Sequence, residues 1–269
     1  MLKRFITGVV SLPIVIILLY IGGFPLVLLC TAAAAVGLFE LYKAISGKIQ
    51  RVHQLGHVFT GAYFLVLYYF GFGIEIFIAL TIFVLLVQVW FVLFFNKVTI
   101  KDVITTLYGF FYIPFLLGFI ILVREHEMGQ YYVWLVATAA FGCDTFAYLT
   151  GVTIGKHKLT GTPSPTKSVE GLIGGILGAA LVGFVYGFLA AQFLSPPEGF
   201  VVHATVISAV AAVFCVFGDM AASAIKRNTG IKDFGALFPG HGGVLDRIDS
   251  VLFAAPVVFI SLFVLGLVG

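Results

Sequence analysis

Long runs of apolar residues, separated by short polar segments, extend over the whole chain. A bilayer core offers the backbone no hydrogen-bond partners, so apolar runs of about 20 residues can cross it only as helices. The pattern predicts an all-α, polytopic membrane protein with about nine transmembrane helices. These are predicted at residues 4–22, 24–44, 54–71, 74–95, 103–123, 131–150, 170–194, 202–225 and 250–268.

The composition agrees with a lipid-exposed surface. Of the 269 residues, 61% are hydrophobic and 10% are charged, whereas soluble domains contain about 25% charged residues. A water-soluble globular protein is therefore excluded. Cys30, Cys143 and Cys215 all lie in apolar runs. An odd number without a CxxC pair argues against disulfides or a zinc site, so we predict small buried residues.

Two polar segments are longer than the other connections, and we predict that they carry the function. They cover residues 151–170 and 226–249. Long polar loops in compact proteins are usually functional. We therefore divide the chain into N-terminal transmembrane helices, 1–130, and a C-terminal transmembrane catalytic region, 131–269, that contains both loops.

The basic residues predict how the chain is oriented. Cytoplasmic loops of membrane proteins carry an excess of Lys and Arg. With the N-terminus inside and nine spans, fourteen of the fifteen basic residues fall on the cytoplasmic side, and only Arg124 falls outside. We therefore expect a multi-pass protein of the cell (inner) membrane, with its N-terminus and both polar loops in the cytoplasm.

Acidic residues inside the predicted spans need a physical explanation. Asp144 and Asp219 lie at similar predicted depths, where a charged Asp costs about 2.5–3.5 kcal/mol. A hydrogen bond to another helix or a Lys partner would be a structural explanation. Two acids at one level beneath a basic loop favour a metal site. Glu40 lies near a span end with Lys43 one turn on, and we predict that it reaches the interface without a functional role.

The loop after the eighth predicted span combines three kinds of residue. Glycines let backbone N–H groups turn towards an anion, Lys and Arg bind phosphate, and Asp oxygens suit magnesium. Basic loops also bind lipid headgroups, but that explanation leaves the acids and the His-Gly-Gly run unexplained. The residues are Gly240, Gly242 and Gly243; Lys226, Arg227, Lys232 and Arg247; Asp246 and Asp249.

This region resembles the signature of the phosphatidate cytidylyltransferase family. The matching run is Ser223-x-Ile225-Lys226-Arg227-x4-Lys232-Asp233-x-Gly235-x2-Phe238-Pro239-x-His241-Gly242-Gly243-Val244-x-Asp246-Arg247-Ile248-Asp249. A second similar stretch contains Asp144-Thr145-Phe146-Ala147-Tyr148, Gly155-Lys156, Ser164-Pro165 and Lys167-Ser168-Val169-Glu170-Gly171. Thr166 and Val169 depart from the family pattern of a Lys and an aromatic residue, which puts one phosphate contact and one packing contact in question.

The resemblance implies transfer of the cytidylyl group of CTP to phosphatidic acid, with release of pyrophosphate. It implies Mg²⁺, with a second, monovalent cation such as K⁺ as an open alternative, and a homodimer in contact with membrane lipids and without nucleic acid. Metal ligands would be Asp144, Asp219, Asp246 and Asp249. Catalytic roles would fall to Asp219, Asp246, Lys226, Arg227, His241 and Arg247, and substrate binding to Lys167, Ser223, Lys232, Gly242 and Gly243. For His241 a role on a phosphate or the leaving group and a structural role are both open.

Three other functions were compared with this one. A transporter would also place acids in the membrane, but the chain has no visible internal repeat of the kind many transporters show. The Asp-rich signature of the CDP-alcohol phosphotransferases is absent. A purely structural or lipid-binding protein gives no reason for buried acids. Turnover that depends on CTP would separate the enzyme from the non-enzymes.

Overall fold

A computed structural model describes residues 13–237 and 242–267. Within these ranges the chain is helical apart from its connections and one isolated antiparallel bridge between Lys158 and Ser168, which confirms the all-α prediction. The elements are α1 (13–21), α2 (Gly23–Ser46), α3 (Arg51–Phe70), α4 (Ile74–Leu93), α5 (Ile100–Phe110), a π-helical turn (Phe111–Phe115), α6 (Leu116–Glu125), α7 (Gly129–Tyr132), α8 (Trp134–Thr153), α9 (Val169–Phe193), α10 (Phe200–Thr229) and α11 (Leu245–Val264).

Seven helical segments of the described chain are long and apolar enough to cross a membrane. Helix α3 has 20 residues, but Arg51, His53 and Gln54 make its first turn polar, and it is not among the seven. The first predicted span begins before the described residues, which show only its end as α1. The number of about nine transmembrane helices therefore stays a prediction.

The second polar loop is shorter than the sequence predicts, because helices extend into it from both sides. Helix α10 continues to Thr229, so Lys226 and Arg227 lie in its last turn. Helix α11 begins at Leu245, so Asp246 and Arg247 lie in its first turn. The connection between the two helices is reduced to residues 230–244. The four predicted site residues at its ends are therefore positioned by helices.

The chain forms two compact units. The first contains Met1–Glu125 and Thr229–Arg247, and the second contains His126–Asn228 and Ile248–Gly269. The described residues of each unit carry part of the predicted site. The predicted division into N-terminal helices, 1–130, and a catalytic region, 131–269, stays a prediction.

The first unit is organised around helix α2. Tyr42 is fully buried, its ring stacks on His53 with centroids 4.5 Å apart, and its hydroxyl donates to the Thr106 carbonyl over 3.2 Å. Near the other end of the helix, Arg124 donates to the last carbonyls of α1, including that of Leu19 over 2.8 Å. A cation is favourable at a helix C-terminus, which gives Arg124 a structural role within the chain.

In the second unit, glycines let helix α9 pack closely against its neighbours. A Cβ at Gly174 or Gly178 would overlap side chains of α8, namely Thr150 and Phe146. A Cβ at Gly183 would overlap α10, and one at Gly187 would crowd its backbone. Small residues at this spacing allow helix backbones to approach. These four glycines serve packing within the chain.

Candidate functional site

The connection between α8 and α9, residues 154–168, is a short hairpin-like loop held by its own backbone. The Leu159 amide donates to the Lys167 carbonyl, and the Val169 amide donates to the His157 carbonyl, both over 2.9 Å. Because these bonds use backbone atoms only, they fix the position of Lys167 while its side chain remains available.

The start of α9 adds two side-chain contacts to this loop. Ser168 caps the helix, and its hydroxyl accepts from the Gly171 amide over 3.1 Å. Glu170 lies 2.6 Å from Nδ1 of His157 and accepts from the backbone amide of His157 at 3.2 Å. The sequence shows no sign of this pair, because the two residues stand thirteen positions apart across a loop and their meeting depends on how the loop turns.

A cavity of about 430 Å³ lies beneath this loop, and it contains both acids predicted inside the membrane. Asp144 and Asp219 line it together with Lys158 and Lys167. Lys167 forms an ion pair with Asp219, and the two side chains are 29% and 30% exposed. The cavity thus places two carboxylates and two ammonium groups in one partly exposed space.

Asp249 adds a third acid to the second unit. It is buried in α11, and one carboxylate oxygen accepts from the Ser250 amide over 2.8 Å. A Cβ at Gly218 would lie only 2.5 Å from the Asp249 carbonyl, so the glycine beside Asp219 allows α10 to approach α11.

The donor chemistry of this cluster suits Mg²⁺. The ion prefers oxygen ligands and is usually held by one or two carboxylates, with water and substrate phosphates completing its shell. Asp144 and Asp219 supply such a pair on one cavity wall. Among the described residues no three His, Cys, Asp or Glu side chains are gathered where they could hold one metal ion.

In the first unit, Asp246 organises the described part of the connection 230–244, which we call the motif loop. One oxygen of its carboxylate accepts from the amide of Phe234 over 2.9 Å and from the amide of Gly243 over 3.0 Å. Gly242 has φ +81°, a conformation that favours glycine. The Gly243 amide, predicted to face a substrate anion, here donates to a carboxylate of the chain itself.

The predicted phosphate-binding residues differ in exposure. Arg227, Lys232 and Arg247 are exposed, whereas Ser223 and Lys226 are half-buried along α10. His241 lies outside the described residues. Their contacts with substrate therefore stay predictions.

The prediction that Glu40 reaches the interface is wrong, and its lack of a functional role stays a prediction. Its side chain does not reach the interface; it is only 5% exposed and is directed at the start of α11. Its two oxygens accept from the backbone amides of Val244 and Leu245 over 3.1 and 2.9 Å. A carboxylate near a span end with a Lys one turn on is the ordinary pattern of an interfacial residue, which is why the sequence misled. No residue pattern around Glu40 distinguishes it in the sequence, because its partners stand about 200 positions away.

Comparisons with known proteins place the chain in a family. The model of the cytidylyltransferase family matches residues 2–265. The phosphatidate cytidylyltransferase of Bacillus subtilis is 32% identical over 267 residues, 97% of each chain. That of Thermotoga maritima is 40% identical over 149 residues, 55% of each chain, and that of Haemophilus influenzae is 37% identical over 159 residues, 56% of this chain and 53% of the relative. The latter two alignments thus span about half the length of those relatives. The chain belongs to the cytidylyltransferase family.

Proposed function

We propose that this cytidylyltransferase makes CDP-diacylglycerol from CTP and phosphatidate. The observation that carries the proposal is the cavity in which Lys167 pairs with Asp219 beside Asp144, in a chain that belongs to the cytidylyltransferase family. Support comes also from the Bacillus subtilis relative, which is named phosphatidate cytidylyltransferase and aligns over 97% of the chain.

The reaction requires little covalent chemistry from the protein. A phosphate oxygen of phosphatidate attacks the α-phosphorus of CTP, and the bond from that phosphorus to the bridging oxygen of the β-phosphate breaks. Pyrophosphate leaves with the bonding electrons. Because the second pKa of a phosphate monoester is about 6, the nucleophile is already an anion at neutral pH. The main obstacle is repulsion between two anionic substrates, which positive groups and positioning reduce.

Each charged group of the site has a role in reducing that repulsion. Lys167 exchanges Asp219 for a substrate phosphate, while Lys226, Arg227, Lys232 and Arg247 hold the remaining phosphate oxygens. Asp144 and Asp219, which line the cavity, would hold Mg²⁺, and Asp246 and Asp249 stay predicted ligands. When bound, the ion would neutralise charge on the phosphate oxygens.

The cavity also suits an amphiphilic substrate. Besides the charged groups, its wall contains Tyr148, Val152, Leu159 and Leu172, and Tyr148 and Val152 are 70% and 69% exposed. The phosphate of a lipid can enter the polar part while its acyl chains stay in hydrocarbon. Since the positive-inside pattern assigns this side to the cytoplasm, the site would receive CTP directly from there.

The family resemblance leads us to expect a homodimer in the cell (inner) membrane. The glycines of α9 pack against α8 and α10 within the chain. A second subunit would therefore have to pack against a different surface of the protein. The mass of the protein in detergent, measured by light scattering with the detergent contribution removed, would decide between one and two subunits.

The test is CTP-dependent formation of CDP-diacylglycerol by purified protein in detergent, with phosphatidate and Mg²⁺. The parent should be active, and Asp219→Asn and Asp246→Asn should be inactive although folded. Glu198→Gln, at an exposed connection, is the control and should keep the parent's activity. A folded parent without turnover, also with Mn²⁺ or added K⁺, would refute the proposed function. Activity in both Asp variants would show that the reaction does not depend on the carboxylates of Asp219 and Asp246.

A further inference from the structure

We infer that Glu40 is a positioning residue that tethers the motif loop and the start of α11, and that it acts in catalysis through Asp246 without touching substrate. The inference rests on the proposed function. Its basis is a buried carboxylate that stands about 200 positions from its hydrogen-bond partners, Val244 and Leu245.

The two hydrogen bonds lie at the first turn of α11, where backbone amides have no partner within the helix. A carboxylate there satisfies both amides and is also favoured by the positive end of the helix dipole. A buried charge is costly unless it is compensated in this way. Glu40 therefore determines where α11 begins, and with it the position of Asp246, one residue after Leu245.

Glycines of the motif loop make room for this carboxylate. A Cβ at Gly235 or at Gly243 would overlap the Glu40 side chain. Neither glycine has a positive φ, so close approach to Glu40 is the reason that a larger residue would not fit. Asp246 also binds this loop, because its carboxylate accepts from the amides of Phe234 and Gly243.

Helix α2 holds Glu40 firmly. Leu38, Leu41 and Tyr42 are fully buried, and Tyr42 is bonded to α5 through the Thr106 carbonyl. A carboxylate on such a support places its partners more accurately than one on a flexible chain. A shift of about 1 Å in a catalytic group can cost about 100-fold in rate.

The test compares Glu40→Gln, Glu40→Asp and Glu40→Ala with Asp102→Asn. Asp102 is a matched control, since it is also 5% exposed and also bonds at a helix start, accepting from the Thr99 amide over 3.0 Å before α5. We expect Glu40→Gln to lower kcat about 100-fold with KM for CTP within about twofold, and to raise the Mg²⁺ concentration for half-maximal activity about tenfold. Asp102→Asn should alter thermal stability alone.

A second arm does not depend on activity. Hydrogen exchange at the Val244 and Leu245 amides should become roughly tenfold faster in Glu40→Ala and stay unchanged in Asp102→Asn. Gly235→Ala should reproduce the catalytic loss, and shortening the acid in Gly235→Ala/Glu40→Asp should restore part of it, because the two changes share one space.

The outcomes are separable. Variants of Glu40 that keep the parent's kcat and Mg²⁺ requirement would overturn the positioning role, and so would unchanged exchange at Val244 and Leu245. A parent without CDP-diacylglycerol formation would overturn the proposed function. The exchange arm would then still show whether the tether exists.

Discussion

The two polar connections, residues 154–168 and residues 230–244, are held in place by different kinds of contact. The first is closed mainly by its own backbone, with Leu159 bonded to Lys167, and Glu170 of α9 adds a bond from the His157 amide. In the described part of the second, two carboxylates do this work: Asp246 of α11 accepts from Phe234 and Gly243, and Glu40 of the distant helix α2 accepts from Val244. A loop held by its backbone tolerates side-chain changes, whereas a loop held by two acids depends on both.

Lys167 and Asp246 both belong to the predicted site, but the side chain of Asp246 supports its loop and the side chain of Lys167 does not. Lys167 presents its side chain to Asp219 while only its backbone supports the loop. Asp246 is predicted to serve chemistry, and its carboxylate also supports the loop. Substituting Lys167 should therefore lower activity without loosening the first connection. Substituting Asp246 should lower activity and also loosen the second connection.

The largest effect is expected for Asp246→Asn. Its side-chain amide would face the Phe234 and Gly243 amides with less acceptor capacity, and activity should fall about 1000-fold. Hydrogen exchange should accelerate in 230–244 and remain unchanged in 154–168. Exchange that stays slow in 230–244 would show that this loop does not depend on Asp246.

A somewhat smaller loss is expected for Lys167→Met. Asp219 loses its ammonium partner and a phosphate loses its cation, so kcat should fall about 100-fold. Exchange in 154–168 should not change, because the loop bonds use the Lys167 backbone. Lys158→Met is the matched control on the same cavity wall and should lose less. Faster exchange throughout 154–168 in Lys167→Met would contradict a loop closed by its backbone.

Ser168→Ala should affect stability more than rate. Loss of the cap of α9 should lower the free energy of unfolding by about 1 kcal/mol, seen as a lower thermal midpoint in detergent. The rate per folded molecule should stay close to that of the parent. Ser195→Ala, in an exposed connection, serves as the control. A large fall in kcat without loss of stability would give Ser168 a direct role in the reaction.

The smallest effect is expected for Glu170→Gln. The bond to His157 lies at an exposed histidine, where such pairs contribute little, so activity should stay within about twofold of the parent. Exchange at the His157 amide should become faster, because the charged acceptor is lost. A loss of activity beyond tenfold would show that this pair, and not the backbone, holds the first connection.

Part of the site could be predicted because its signal is local. Asp144 and Asp219 stand out as acids in apolar helices, and the structure brings them into one cavity. Lys167 stands out within a polar loop. Glu40 could not be recognised in this way, since a carboxylate near a helix end resembles an interfacial residue until its partner is known. The pairing of His157 with Glu170 was missed for the same reason.

The sequence by itself determined the all-α architecture, the apolar helices and the family signature, because helix periodicity and hydropathy are properties of neighbouring residues. Only the tertiary structure decided that Lys167 meets Asp219, that Glu40 holds the start of α11 and that Gly235 and Gly243 make room for it. Contacts of this kind join distant segments, and a buried charge finds its compensation only after the chain has folded around it.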